Sequence, residues 1–466
     1  MEKDKVIRDP IHGNIRMEQR FIELIDTPEF QRLRRIKQLG MINLLFPAAE
    51  YSRFSHSLGT FHIMKLIIEH FSGIFKELGL EDELGTKKKD LALVTALLHD
   101  VGHGPLSHTF ETIVKRLRVE DDYIEHEEWS KEIITAPESR LRQVLEENFG
   151  DQFPEQVARI ISTGYRLEKP ELLQSGFAQI NVLNLISSLI SSQLDADRMD
   201  YLLRDAYFTG VEYGEFDLAR LIEALRLTKE EGHYYLCVPK KYLSSIEEYL
   251  LSRYHMYKEI YTHPFKREME TVIVKLFKRA QELYSQNRLP TAKLPAVLES
   301  LFKAEKIKVQ DYLDFDDISI LNLLKFWQKE GEPILAELAA AFIKRKKFAK
   351  LMQGEKEKIE QLKVKLNDLL ADTEVENVEE SYFWLESHVE DSFYNELYKK
   401  EEGKIRILEQ DGSLKDFANL SEIINRSDKK PDYKKQVYIN FDLLIYEIED
   451  KRIIKEIKSY LQEYIV

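Results

Sequence analysis

The chain has 466 residues, with 68 lysines and arginines against 82 aspartates and glutamates, a formal charge of −14. That length predicts two or three domains, and the acidic balance argues against a general nucleic-acid or membrane-surface binder while leaving room for a local basic pocket. The single cysteine, Cys237, excludes an intrachain disulfide and any multi-cysteine zinc site. The first residues lack the apolar core of a signal peptide, and no stretch approaches the roughly 18 uncharged apolar residues of a membrane span, so the expected location is the cytoplasm.

In chain order, β-prone pieces flank a turn at Asp9-Pro10-Ile11-His12-Gly13. Asp26-Thr27-Pro28 reads as a helix start, with Asp26 or Thr27 capping and Pro28 at the first position, and residues 30–39 continue it with a basic face. A second amphipathic helix runs from Arg53, past His56, to about Glu77. A buried helix over Asp90–Leu98 delivers His99 and Asp100 to its C-terminal end. Gly102 and Gly104-Pro105 break it, and Pro105 suits the start of a further helix with His108 and Glu111 on one face. Residues 115–180 read as charged helix, holding the cluster Glu125-His126-Glu127-Glu128.

A long helix over 181–208 puts Asp197, Tyr201 and Asp205 at four-residue spacing, and Gly210 and Gly214 close it. Such a stripe is poor core material. A strand over Tyr234–Val238 precedes a helix from Ser244 to about Tyr261, which repeats the device with Arg253, Tyr257 and Tyr261. Past about residue 300 the pattern changes. Lys344–Lys347 and 355–370 read as charged helix, whereas 404–408 and 436–440 alternate like strands, with an Asp411-Gly412 hairpin signal. No catalytic cluster lies there. The expected fold is mainly α: a helical-bundle core over 1–300 and a smaller α+β region over 301–466 for assembly or regulation.

Three histidines with Asp100 and Glu111 across one helix–turn–helix exceed what core packing asks for. His56, His99, Asp100 and Asp197 offer a nitrogen–oxygen ligand set suited to Mn, Fe, Zn, Ni or Mg. A divalent ion beside Arg53, Arg198 and Arg253 is the recipe for a polyphosphate site.

The strings Arg53-Phe54-Ser55-His56-Ser57-Leu58-Gly59, His99-Asp100-Val101-Gly102-His103-Gly104-Pro105-Leu106-Ser107-His108 and Asp195-Ala196-Asp197-Arg198-Met199-Asp200-Tyr201 carry a resemblance. Across about residues 5–275 the chain resembles the deoxynucleoside triphosphate (dNTP) triphosphohydrolase branch of the HD-domain phosphohydrolases. The resemblance implies an HD-domain helical bundle with His56, His99, Asp100 and Asp197 as metal ligands. It implies that His103, Glu111 and His126 surround the attacking water and that His108 protonates the leaving 5′ oxygen. Arg53, Arg198, Tyr201 and Arg253 match phosphate-binding positions. Gln38, Leu39, Asp205 and Tyr261 match residues that hold the 3′-hydroxyl and crowd C2′, and Tyr257 shares the stripe of Arg253 and Tyr261.

Lys5, Val6, Asp26, Gln31 and Arg34 match an effector pocket for dGTP or GTP at a subunit interface, implying a homotetramer. The implied activity is hydrolysis of a dNTP to deoxynucleoside and tripolyphosphate. The alternatives are hydrolysis of another nucleotide or phosphoester, and a nucleotide-sensing module.

Overall fold

The computed structural model describes residues 4–117, 125–163, 182–230, 233–290, 294–354, 356–391, 404–425 and 432–465. The fold is mainly α, as expected, with three small sheets among the described residues. Strands β1 (Lys5–Asp9) and β2 (Gly13–Met17) form the expected hairpin, and the short helices α1 (Gln19–Ile25) and α2 (Pro28–Gln31) follow. The bundle is built around α3 (Arg53–Glu77), whose 25 residues bury Phe54, Leu58, Phe61, Met64, Phe71 and Phe75. Such a wide apolar surface lets one helix pack on several neighbours.

Helices α4 (Thr86–Leu98), α5 (His108–Leu117), α6 (His126–Thr135), α7 (Arg140–Phe149), α8 (Phe153–Thr163), α9 (Val182–Ile190) and α10 (Ala196–Thr209) complete the bundle. Helix α3 packs on α4 and α10, α4 on α8 and α9, and α6 on α8. After α11 (Leu218–Ala224), β3 (Arg226–Glu230) and β4 (His233–Pro239) come α12 (Leu243–Met256), a π-helical turn over Tyr257–Tyr261, and α13 (Pro264–Ser285).

Further described helices are α14 (Ala296–Phe302), α15 (Val309–Leu313), α16 (Asp317–Glu330), α17 (Pro333–Ile343), α18 (Lys356–Leu370) and, after residue 420, short pieces and a helix over Lys451–Leu461. The last strands are β5 (Ala349–Gly354), β6 (Trp384–Asp391), β7 (Arg406–Leu408), β8 (Leu414–Asp416) and β9 (Asp432–Ile439). One sheet has the order β3-β4-β7-β8, with β4 and β7 parallel, and β7-β8 is the expected hairpin. The other is antiparallel β5-β9-β6.

Several local expectations need correction. The helix predicted over 30–39 ends at Gln31, passes through a 3₁₀ turn at Arg32–Arg35 and is extended at Ile36. Tertiary bonds win there over helical period: Arg35 pairs with Asp316 at 2.5 Å, and Asp317 accepts from the Lys37 amide at 2.9 Å. Neither Asp26 nor Thr27 caps α2 through its side chain; the Thr27 hydroxyl donates to the Leu24 carbonyl instead, at 2.7 Å.

Pro105 does not start a helix. It enters a turn in which Leu106 and Ser107 take φ of +58° and +55°, and α5 begins at His108. The predicted 181–208 helix is broken at 191–195, where Asp195 accepts from the Ser192 and Arg198 amides and caps α10. Gly210 closes α10 in the left-handed conformation, φ +74°, as expected of a helix-terminating glycine. Lys344–Lys347 are not helical, because α17 stops at Ile343. The helical reading of residues 164–181 and 118–124 lies outside the described residues.

Contacts cross residue 300. The Tyr312 hydroxyl donates to the Gly102 carbonyl at 2.7 Å while its ring stacks on Trp129 at 3.9 Å. The buried Arg32 guanidinium donates to the carbonyls of His103 and Phe315 at 2.7 and 3.1 Å. Asp317 also accepts from the Leu106 amide at 2.7 Å. Residues 312–317 thus brace the turn between α4 and α5. Among the described residues no helix is long and apolar enough to cross a membrane.

Candidate active site

Helix α4 ends at Leu98, so the His99-Asp100 doublet leaves its last turn into the bundle, where α3 contributes His56 and α10 contributes Asp197. Two close approaches make this possible. A Cβ on Gly59 would lie 1.8 Å from Asp200 Oδ1, and one on Gly102 would lie 2.2 Å from the His126 carbonyl. Only glycine lets α10 and α6 come that near.

His56, His99 and Asp197 bring one donor atom each within 4.8 Å of one another. His56 Nε2 lies 2.8 Å and His99 Nε2 3.4 Å from Asp197 Oδ1, yet both nitrogens are buried without a hydrogen-bond partner. The other ring nitrogens are occupied: His99 Nδ1 meets the Ala96 carbonyl at 2.9 Å, and His56 Nδ1 meets Asp200 Oδ2 at 2.8 Å. Those acceptors require the Nδ1–H tautomer and leave each Nε2 lone pair aimed at an oxygen.

Two lone pairs converging on a carboxylate ask for a positive charge between them, and a nitrogen–oxygen set of this kind fits a divalent ion. Asp100 adds Oδ1 at 3.4 Å from His99 Nε2 and Oδ2 at 3.7 Å from His56 Nε2, while Oδ2 also takes the Arg53 guanidinium at 2.5 Å.

Electrostatics agree. Burial opposes charge on His56, but Asp197, Asp200 and Asp100 outweigh it and hold its pKa up at about 10. Burial likewise opposes ionisation of Asp197, and the two histidines hold it below the usual carboxylate range. A cation in this field takes the place of that proton.

Next to this cluster lie His103, His108, Glu111 and His126. Burial, Arg53 and His126 depress His103 and keep it neutral; its Nε2 lies 3.2 Å from Asp100 Oδ1 and its Nδ1 has no partner. Glu111 bridges His126 Nδ1 at 2.8 Å and His108 Nδ1 at 3.2 Å. Burial works against the Glu111 anion, but these two histidines hold it well below the ordinary range. Burial also disfavours His126 as a cation, and Glu111 and Glu127 raise it nonetheless.

The His103 and His126 rings stack at 3.7 Å and 18°. An ion between parallel rings would sit far out of both planes, away from the in-plane lone pairs, so this group suits water and protons better than a second metal. The His108 side chain is 66% exposed.

One cleft of about 920 Å³ joins these groups. Its lining takes in His99, Asp100, Asp197, His103, His108 and His126, and also Gln38, Leu39, Arg53, Arg198, Tyr201, Asp205, Tyr257 and Tyr261. Arg253 is buried and is not part of that lining. Arg53 is also buried, engaged by Asp100 and by Ser107 Oγ at 3.0 Å. Tyr261 donates to Asp205 Oδ2 at 2.5 Å, and Tyr51 donates to Oδ1. Tyr51, Asp200 and the cleft residue Lys266, ion-paired to Glu270 at 2.8 Å, were not singled out from sequence.

The effector-matched residues lie apart from this cleft. Lys5 and Val6 are exposed on β1, Asp26 is exposed at the end of α1, and Gln31 accepts from Arg34 Nε at 2.8 Å.

Burial pushes Asp205 up to about 7 from an ordinary 3.8, although both phenols favour its anion. Stability lent by the neutral acid is therefore complete below 3.8 and is lost as pH rises through about 7. Metal-free protein is expected to melt at falling temperature across that window, and Asp205→Asn to flatten the fall. Parallel melting curves for parent and variant would remove Asp205 from this role.

A histidine–aspartate cluster set into a helical bundle, beside a histidine–carboxylate group, defines an HD-type metal-dependent hydrolase. The HD-domain family model matches residues 53–202, from the start of α3 into α10. YwfO of Bacillus subtilis is 33% identical over 448 residues, 95% of this chain and 94% of that protein. Deoxynucleoside triphosphate triphosphohydrolase SAMHD1 of Danio rerio is 30% identical over 295 residues, 60% of this chain and 45% of the zebrafish protein. A phosphohydrolase from Bacteroides thetaiotaomicron superposes with a TM-score of 0.73 at 26% identity, covering 94% of this chain and 100% of that one. The chain belongs to the HD-domain phosphohydrolase family related to the dNTP triphosphohydrolases, and it is a metal-dependent phosphohydrolase.

Proposed function

We propose that the chain hydrolyses a dNTP at its α-phosphorus, releasing deoxynucleoside and tripolyphosphate. The observation that carries this is the shared cleft. Its volume of about 920 Å³ suits a nucleoside triphosphate, and the His/Asp cluster, the His–Glu–His group, two guanidiniums and the Asp205–Tyr261 wall all line it or border it. When bound by His56, His99, Asp100 and Asp197, a divalent ion polarises a phosphoryl oxygen and offsets its charge.

His103, neutral and with an unpartnered Nδ1, takes a proton from the attacking water, with Glu111 and His126 orienting the group. A bond from the water oxygen to the α-phosphorus forms as the bond to the 5′ oxygen breaks. His108 at the mouth gives the leaving oxygen its proton. Arg53, Arg198 and Tyr201 on the cleft lining serve the phosphates, with the buried Arg253, outside that lining, adding charge beside Tyr201; Gln38, Leu39, Asp205, Tyr257 and Tyr261 serve the sugar. The direct test is a panel of dNTPs and NTPs with Mn and Mg, products separated by anion exchange. Tripolyphosphate from dNTPs supports the reading, and turnover of ribonucleotides or simple phosphoesters alone overturns it.

Tyr261 is fixed by its bond to Asp205, and in the proposed binding mode its ring fills the space a 2′-hydroxyl would need. Tyr261→Ala is expected to lower dNTP turnover and to narrow the dNTP/NTP ratio of kcat/KM; an unchanged ratio would rule the role out.

The same proposal includes activation by dGTP or GTP bound through Lys5, Val6, Asp26, Gln31 and Arg34 between subunits of a homotetramer, with 301–466 serving assembly or regulation. Asp26 caps no helix N-terminus, and the Arg34 guanidinium rests 3.6 Å from the Phe54 ring centroid. A carboxylate can accept from guanine N1–H and its 2-amino group, and an arginine can donate to O6. Coupling of about 1–3 kcal/mol corresponds to a roughly 5- to 150-fold effect on affinity. Asp26→Ala is expected to abolish activation and the shift toward tetramer while sparing metal content. Turnover and sedimentation indifferent to both nucleotides in the parent protein would contradict it.

A further inference from the structure

We propose that the β1–β2 turn at Asp9–His12 is a positioning element of the metal cluster, fixing His56 through Asp200. The starting point is a carboxylate with every acceptor position taken. Asp200 is fully buried on α10, one turn from Asp197. Its Oδ2 accepts from His56 Nδ1 at 2.8 Å and from Arg204 Nε at 2.9 Å. Its Oδ1 meets His12 Nε2 at 2.6 Å and accepts from Arg204 Nη2 at 2.9 Å. Four donors on two oxygens leave that carboxylate one orientation, and the orientation decides which way the His56 ring presents Nε2.

The donors themselves are held by the hairpin. The Arg204 guanidinium is fully buried, and its second edge lies on Asp9, Nη1 to Oδ2 at 2.7 Å and Nη2 to Oδ1 at 3.3 Å. Asp9 Oδ1 also accepts from the amides of Ile11 and His12, each at 2.9 Å. One side chain therefore shapes the turn that delivers His12 and grips the arginine that His12 works beside. The Asp-Pro-Ile-His-Gly string, read from sequence only as a turn, becomes the far wall of the cluster.

None of Asp9, His12, Asp200 or Arg204 lines the substrate cleft. Their direct link to the cluster is the Asp200–His56 bond at 2.8 Å. The arrangement also suits the charge: Asp9 and Asp200 together exceed Arg204 by one negative charge, on the side of His56 away from the ion. A carboxylate behind a ligating imidazole raises its basicity and fixes its ring, and losing such a partner commonly costs roughly 10- to 100-fold in metal affinity.

The test compares His12→Ala with His12→Gln, whose side-chain amide restores an N–H donor toward Asp200 Oδ1. Mn(II) affinity is measured on the full chain by chelator competition and elemental analysis, alongside the melting temperature of metal-free protein. Expected are a roughly 10- to 100-fold weaker Mn(II) affinity for His12→Ala, recovery to within a few-fold for His12→Gln, and metal-free melting close to the parent in the glutamine variant. In kinetics, saturating Mn(II) should restore most of the lost kcat of His12→Ala with the substrate KM unchanged. Parent-like Mn(II) affinity in His12→Ala overturns the proposal. So does equal weakening in both variants with equal loss of metal-free stability, which would make the turn a packing element only.

Discussion

Asp197→Asn is expected to remove the metal and the activity together. Asp197 Oδ1 is the point on which His56 Nε2 and His99 Nε2 converge, at 2.8 and 3.4 Å. A neutral amide is a poorer ligand and withdraws the charge that balances an ion there. The loss in kcat/KM should exceed the roughly 10- to 100-fold that a change behind a ligand produces, because the proposed ligand itself is lost. Elemental analysis of the purified variant beside its turnover checks this. Full metal occupancy with near-normal turnover would contradict it.

Glu111→Gln is expected to lower kcat by about 10²- to 10⁴-fold while leaving metal content and KM near the parent values. Glu111 holds His126 at 2.8 Å and His108 at 3.2 Å with a fully ionised carboxylate. An amide of the same shape keeps the packing but can accept at only one of its two terminal atoms, so one histidine loses its anchor and His126 loses the charge that raises it. The His103–His126 stack then no longer fixes the water group. Metal content separates this from the Asp197 result. A kcat within a few-fold of the parent would remove Glu111 from the proton-handling group.

Helices α3, α4, α5 and α12 follow from apolar period, and Asp195 and Gly210 act as the capping rules require. The breaks at 32–36 and 191–195, and the length of the turn beyond Gly104-Pro105, were not legible, because each is stabilised by partners distant in the chain or by a local cap that competes with helical period. Arg35 with Asp316 and Leu106 with Asp317 are separated by more than two hundred residues.

The same reason hid the brace of Tyr312–Asp317 in a stretch with no catalytic cluster of its own. The convergence of His56, His99 and Asp197 and the lining of the cleft by Tyr201, Asp205 and Tyr261 were legible, since histidine–aspartate strings and acid–phenol stripes have few structural uses. Asp200 and Arg204 were not: an acid and a base four residues apart on a helix read as a surface pair, and only the fold places both in the interior.

In the proposed reaction water attacks the α-phosphorus of a dNTP and the 5′ oxygen leaves. Hydrolysis in ¹⁸O-labelled water, with products separated by anion exchange and weighed by mass spectrometry, tests it most directly. The account predicts one labelled oxygen in tripolyphosphate and none in the deoxynucleoside. Pyrophosphate with nucleoside monophosphate as products, or label in the deoxynucleoside, would contradict it.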